Sequence, residues 1–216
     1  MGAEIPKQFI ELAGLPVLMH TITAFRKTFQ DMEIIVVLPE SQIKNWKSLC
    51  LKHNFILPFE TCVGGETRFH SVKNGLSMLE GDGLVGIHDG VRPLVSEETI
   101  KRCYHDAAIY GNSVPVTEIV ETVRLLDSDK STIVDRSHLR LVQTPQVFRV
   151  QSLKEAYNLE YKPHFTDDAS VLENNGEIIH LTEGNRENIK ITHPLDLLIG
   201  ECLLRKMLEE RETAII

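Results

Sequence analysis

The sequence predicts one α/β domain of Rossmann-like, three-layer architecture, a mostly parallel sheet covered by helices, spanning residues 1–216. Three observations lead there. Strand and helix periodicities alternate along the chain, the rhythm of βαβ units. Two short continuous apolar runs, "EIIVVLP" and "LVGIHDG", are the kind that a strand buried on both faces requires. At 216 residues the chain is long enough for one sizeable core and short for two.

Each element follows from a local pattern. After Gly14, Leu18, Ile22, Phe25 and Phe29 share one helical face. Glu33 to Pro39 is the first buried strand, and a helix through Ile43, Trp46, Leu49 and Cys50 follows. A short strand ends at Val63, Gly64-Gly65 make a turn, and a helix runs from about Thr67 to Leu79. "LVGIHDG" is the second buried strand. Ser96-Glu97-Glu98 then opens a helix with a capping hydroxyl and an acidic first turn. Later helices are expected near Gln151 to Tyr161, from Thr166-Asp167-Asp168, and from about Pro194. The run "EIIHLTE" between the last two reads as a strand.

The region from Pro115 to Gln146 breaks this rhythm. "VETVRLL" and "TIVDR" flank the polar "DSDKS", which reads as a hairpin with few apolar residues to bury. It is expected to project as a β-arm, about residues 115–142, onto a partner subunit. Asp127-Ser128-Asp129 has the form of a metal-holding D-x-D, but at a hairpin tip Asp and Ser are turn residues first.

Composition excludes several classes. A formal net charge of −8 argues against non-specific nucleic-acid or anionic-membrane binding. No apolar run approaches the roughly 18 residues that span a bilayer, and the start "MGAEIPKQ" has no secretory-signal pattern. Cys50, Cys62, Cys103 and Cys202 are far apart with no C-x-x-C, which points to reduced thiols in the cytoplasm rather than zinc.

The chemistry-bearing residues cluster after strands. "GGETR", "HDGVRP" and "EGNRENIK" each follow a strand end, and in open α/β sheets ligands bind at the carboxyl ends of strands. Lys7, Arg68, Arg92, Arg136 and Lys190 converging on one crevice would suit a polyphosphate and a second anion. Each taken alone reads first as an ordinary solvated surface charge, and it is their shared placement after strands that favours the crevice. Gly64 and Gly65 allow close backbone approach, with the Ser71 hydroxyl one turn into the helix. Asp89 ends its strand where a carboxylate suits magnesium, a substrate hydroxyl or a turn. His88 reads as a packed strand residue. No P-loop and no Ser-His-Asp or Cys-His grouping stands out.

In order and spacing, "PKQF", "GGETRFHSV", "HDGVRP", "VDRSHLRLVQTPQVF", "FTDDASVLE" and "NRENIKITHPLDL" resemble the 2-C-methyl-D-erythritol 4-phosphate cytidylyltransferases over essentially the whole chain. The resemblance implies a nucleotidyltransferase fold and a homodimer bridged by the arm. It also implies attack of the alcohol's phosphate on the α-phosphorus of CTP, with Mg2+ held mainly by the nucleotide phosphates. Carried over by motif, Lys7 and Lys190 neutralise charge at the α- and β-phosphates, and Gly64, Gly65 and Ser71 meet the cytosine. Asp89 and Gly90 bind the ribose or substrate side, and Arg92 buttresses their loop. Arg136 and Thr144 hold the substrate's phosphate, Arg136 by reaching the neighbouring subunit, and Thr122 contributes a hydroxyl from the arm. Glu187 stands where the family has aspartate and is given no role.

Two other readings compete. A ribitol or pentitol 5-phosphate cytidylyltransferase shares most of these motifs, but "DRSHLRLVQTPQ" lacks the Tyr-Gln-Gly expected before "TPQ". The family also begins with a strand and a glycine-rich loop ending near Met-Gly, where this chain starts. The expectation is that both lie upstream of Met1, and that without them the chain would be a non-catalytic nucleotide-binding remnant.

Overall fold

A computed structural model describes residues 5–213. Met1–Gly2, the expected end of the glycine-rich loop, fall outside them. The described chain opens with a 3-10 turn, Lys7–Phe9, and a minimal hairpin of Glu11–Leu12 (β1) and Leu15–Pro16 (β2). Ala13 and Gly14 turn it at positive φ. Helix Val17–Thr28 (α1) then buries Leu18, Met19, Ile22 and Phe25 along one stripe, as its periodicity predicts.

Strand Ile35–Leu38 (β3), helix Glu40–Lys52 (α2) and strand Glu60–Val63 (β4) form one βαβ unit with β3 and β4 parallel. Helix Arg68–Ser77 (α3) leads to Leu84–Ile87 (β5), then Glu97–Tyr110 (α4) and Asn112–Glu118 (β6). Val123–Asp127 (β7) and Lys130–Val134 (β8) are the hairpin of the arm. Arg140–Val142 (β9), Gln146–Arg149 (β10) and Val150–Ala156 (α5) bring the chain back. Asp168–Asn174 (α6), Leu181–Glu183 (β11) and Pro194–Thr213 (α7) complete it.

The second sheet runs β11-β6-β10-β5, with β9 beside β6. It is mixed. β11 lies parallel to β6, whereas β10 is antiparallel to both β6 and β5, and β9 is antiparallel to β6. β5, β6 and β11 nevertheless run the same way, since β5 and β6 are both antiparallel to β10, and β3 and β4 are parallel. The expected mostly parallel architecture holds, with β10 and β9 reversed because the arm folds the chain back on itself. The arm is shorter than expected. Ser113, Val114, Pro115 and Val116 are buried members of β6, and residues 140–142 pair with that strand, so the projecting part lies between Glu118 and Arg140. The helix expected to Tyr161 stops at Ala156, because Tyr157 turns inward to stack on Phe69 at 4.6 Å between ring centroids. Residues 177–180 do not join the strand expected there.

Of five apolar clusters among the described residues, the two largest flank the sheets. One gathers Phe69, Phe148, Leu153, Tyr157 and Leu172 beneath β5, β10 and β6. The other packs Phe9, Met19, Ile22, Leu38 and Trp46 between α1, α2 and β3, with Phe9 and Trp46 stacked at 5.7 Å. Between β3 and β5 runs a cavity of about 920 Å³ lined by consecutive residues of both strands, 34–38 and 83–91. Among the described strands β3 is bonded to β4 alone and β5 to β10 alone, so each turns one unpaired edge toward this slot. One end of the slot opens among Gln8, Arg68, Ser71, Asp89 and Gly90.

Candidate active site

The glycine loop is assembled by its own helix. Thr67 caps α3 by accepting the His70 N–H at 3.3 Å. Ser71 Oγ donates to Thr67 O at 3.0 Å and accepts the Gly65 N–H at 3.1 Å, folding the loop back over the helix start. Asn74 Nδ2 donates to Val63 O at 3.1 Å, fixing the end of β4. A side chain at Gly65 would bring its Cβ to 2.4 Å from His70 Cβ, so the close turn requires glycine. Ser71 Oγ, with its hydrogen given to Thr67, keeps a free lone pair on the crevice side.

Arg68, the first residue of α3, ties this loop to a distant part of the chain. Its Nη1 and Nη2 make a forked pair with Asp168, whose side chain has no solvent exposure, and Tyr157 Oη donates to the same carboxylate at 2.7 Å. Burial and then the neighbouring carboxylate push the Tyr157 pKa up. Gln146 Oε1 accepts the Asp168 and Ala169 N–H groups, holding the start of α6 against β10.

The Asp89 turn is built from three separated segments. Arg92 Nε and Lys190 Nζ both reach Asp89 Oδ2 at 3.1 Å. Burial opposes ionisation of Asp89, yet Lys190 and then Arg92 hold its pKa below the ordinary carboxylate value. The Asp89 N–H donates to Thr144 Oγ1 at 3.1 Å. His88 lies behind the turn on the wall of the slot, half-buried against the Phe25 ring, with Nδ1 2.9 Å from Thr144 Oγ1 and Nε2 3.0 Å from Arg92 O. Burial pushes its pKa down to about 4, so the imidazole is neutral. Asn188, fully buried, receives Arg92 Nη1 on its backbone oxygen and donates to Thr144 O.

The expected residues therefore fall in four places. Gly64, Gly65 and Ser71 form one wall of the crevice, and Asp89, Gly90, Arg92, Thr144 and Lys190 form the other. Lys7 is exposed, next to the Gln8 that lines the crevice. Arg136 and Thr122 stand on the exposed arm and are not brought to this wall. The Arg136 guanidinium is turned to Val120 O. Ser128, at positive φ, makes the "DSDKS" segment a turn. Among the described residues no three His, Cys, Asp or Glu side chains gather as a metal site, and no helix is long and apolar enough to cross a membrane. Sequence reasoning counted Arg68 among the crevice cations, and it does line the crevice, but its guanidinium is engaged by Asp168; that pairing, Tyr157 and Asn188 were given no role. Asn188 lay within the quoted "NRENIK", but burial of its amide has no local signal.

The chain is similar to known proteins over most of its length. The family described as 2-C-methyl-D-erythritol 4-phosphate cytidylyltransferase matches residues 1–206. A protein of that name from Bacteroides thetaiotaomicron is 55% identical over 204 residues, 94% of this chain and 93% of its own length. A Porphyromonas gingivalis protein of the same name is 47% identical over 205 residues, 94% of this chain and 91% of its own. The crystal structure of the Thermus thermophilus protein of that name superposes with a TM-score of 0.79 at 33% identity, covering 93% of this chain and 94% of that one.

Proposed function

We propose the chemistry from family membership, since this chain belongs to the 2-C-methyl-D-erythritol 4-phosphate cytidylyltransferase family. The reaction joins CTP and 2-C-methyl-D-erythritol 4-phosphate to give the CDP-alcohol and pyrophosphate in isoprenoid precursor synthesis. The observation that carries this reading is the pairing of Lys190 with a half-buried, ionised Asp89 across the crevice from a glycine loop.

Attack of one phosphate on another needs little covalent help, so positioning and charge neutralisation supply most of the acceleration. Lys190 is held by Asp89 yet half exposed, which suits a cation that meets the α-phosphate. Lys7 supplies a second positive charge from the far side. The free lone pair of Ser71 Oγ suits the amino group of cytosine, and the Gly65 turn admits a base edge-on. Asp89 and Gly90 take the ribose and substrate side, and Arg92 braces them. Mg2+ supplies further charge neutralisation when bound. Asp89 already has two cationic partners, which favours an ion held mainly by the nucleotide phosphates.

Arg136 and Thr122 belong to an arm whose Leu125, Leu126 and Ile133 are exposed. That apolar surface supports docking of the arm on a second copy, where Arg136 would reach the phosphate in the partner's crevice. Four unpaired cysteines suit a reducing cytoplasm.

The test is pyrophosphate release from CTP with each alcohol phosphate in turn. 2-C-Methyl-D-erythritol 4-phosphate should be consumed, and release only with ribitol 5-phosphate would overturn the assignment. No pyrophosphate with either alcohol phosphate would favour a non-catalytic nucleotide-binding protein.

A further inference from the structure

Four residues around Asp89 close a circuit of hydrogen bonds. Arg92 O has no hydrogen to give, so His88 Nε2 carries the proton and donates to it at 3.0 Å. Arg92 Nη1 donates to Asn188 O at 2.8 Å, and Asn188 Nδ2 donates to Thr144 O at 2.8 Å. With the neutral imidazole protonated at Nε2, Nδ1 is an acceptor, and the Thr144 hydroxyl hydrogen must go to it at 2.9 Å. The tautomer thus sets the direction of the last bond.

That direction limits what Thr144 can do. Its hydroxyl has one hydrogen, already given to His88, and it accepts the Asp89 N–H at 3.1 Å. It is also buried, with 5% exposure. A phosphate oxygen only accepts hydrogen bonds, so it finds no donor there.

We infer that His88 and Thr144 are positioning residues that act on the reaction through Asp89 and its partner Lys190, and that Thr144 is not itself a phosphate contact. This rests on the proposed role of Asp89 and Lys190, and it replaces the direct phosphate contact expected of Thr144 from the family resemblance. His88 holds the Thr144 hydroxyl, the hydroxyl holds the Asp89 backbone, and Asp89 holds Lys190 Nζ at 3.1 Å. A loop that drifts by an ångström moves the ammonium off the α-phosphate, and such displacements are costly in rate.

Two measurements test it. In the wild-type protein, 15N NMR should show His88 as a neutral ring protonated at Nε2. Protonation at Nδ1 would overturn the inference, and this readout is independent of catalysis. Kinetics of three variants then separate the roles, each with its melting temperature recorded. H88Q keeps a donor for Arg92 O but removes the acceptor for Thr144, whereas H88N places an amide oxygen near the position of Nδ1. H88Q and T144V should each lower kcat about tenfold with little change in KM for the alcohol phosphate, and the double variant should be no worse than either. H88N should recover most of the loss. A direct phosphate contact predicts instead that T144V raises KM for the alcohol phosphate at unchanged kcat, while H88Q, freeing the hydroxyl hydrogen, lowers that KM.

Discussion

The two walls of the crevice are fastened in opposite ways. The glycine loop is closed by Thr67, Ser71 and Asn74, all within eleven residues of Val63. The Asp89 turn depends on Thr144, Asn188 and Lys190, which lie at sequence distances of 55 residues and more. A locally closed loop can form with its helix, whereas the Asp89 wall exists only once β5, β10 and the segment before α7 have met. The wall proposed to take the base is therefore set by short-range geometry, and the wall proposed to take the phosphates by tertiary assembly.

The largest challenge to this contrast is Asp168→Ala. Arg68 begins the helix that closes the glycine loop, and its guanidinium is anchored 100 residues away. Removing the carboxylate leaves the Tyr157 hydroxyl and part of the guanidinium buried without a partner. Breaking a buried pair in this way costs about 3–5 kcal/mol, and the 38% exposure of Arg68 puts the expected loss at the lower end. Urea unfolding would measure it. A loss below about 1 kcal/mol, within the range of exposed ion pairs, would mean that the glycine loop stands without tertiary anchorage.

On the Asp89 wall the sharper probe is pH. His88 is half-buried against Phe25, Thr144 and the Arg92 carbonyl, with Asp89 and the Arg92 guanidinium as the nearest charges, and desolvation lowers its pKa to about 4. The unfolded chain binds a proton at this histidine near its ordinary pKa of about 6.5. Between these values the unfolded state holds more protons, so stability falls as pH drops from about 6.5 toward 4. The loss from this one group approaches about 3 kcal/mol at the bottom of that window. His88→Asn has no group titrating there and should flatten this limb of the stability–pH curve. An unchanged limb would remove His88 as its source.

The same contrast explains what could be read from the chain. α1, α2, α3 and α4 follow from apolar spacing and capping residues such as Thr67 and Ser96, because those patterns are local. Gly64, Gly65 and Ser71 were legible for that reason. The reversal of β10 within the mostly parallel sheet was not, since its direction is decided by how the arm returns rather than by any residue within "QVFR". Pro115 and Val116 read as arm because the polar "TEIVE" follows them, yet both are buried in β6 by β11 and β9. Thr144 could be picked out by family likeness as a site residue, but the direction of its hydroxyl bond depends on a histidine 56 residues away.

The smallest expected effect comes from Ser71→Ala, which tests whether the local brace also reads the base. The Gly65 N–H would lose its acceptor and Thr67 O a donor, but Gly65 is exposed and water can replace the bond. The stability cost is then about 0.5–1.5 kcal/mol, that of an ordinary hydrogen bond. Recognition should change in a more specific way. The serine oxygen offers a lone pair to the amino group of cytosine, whereas uracil presents a carbonyl oxygen that cannot donate. Ser71→Ala should therefore raise KM for CTP several-fold while leaving the poor use of UTP nearly unchanged, so that discrimination between them narrows. Equal losses for the two nucleotides would show that Ser71 acts only as the clasp of the Gly65 turn, and base selection would then lie with the backbone of the loop.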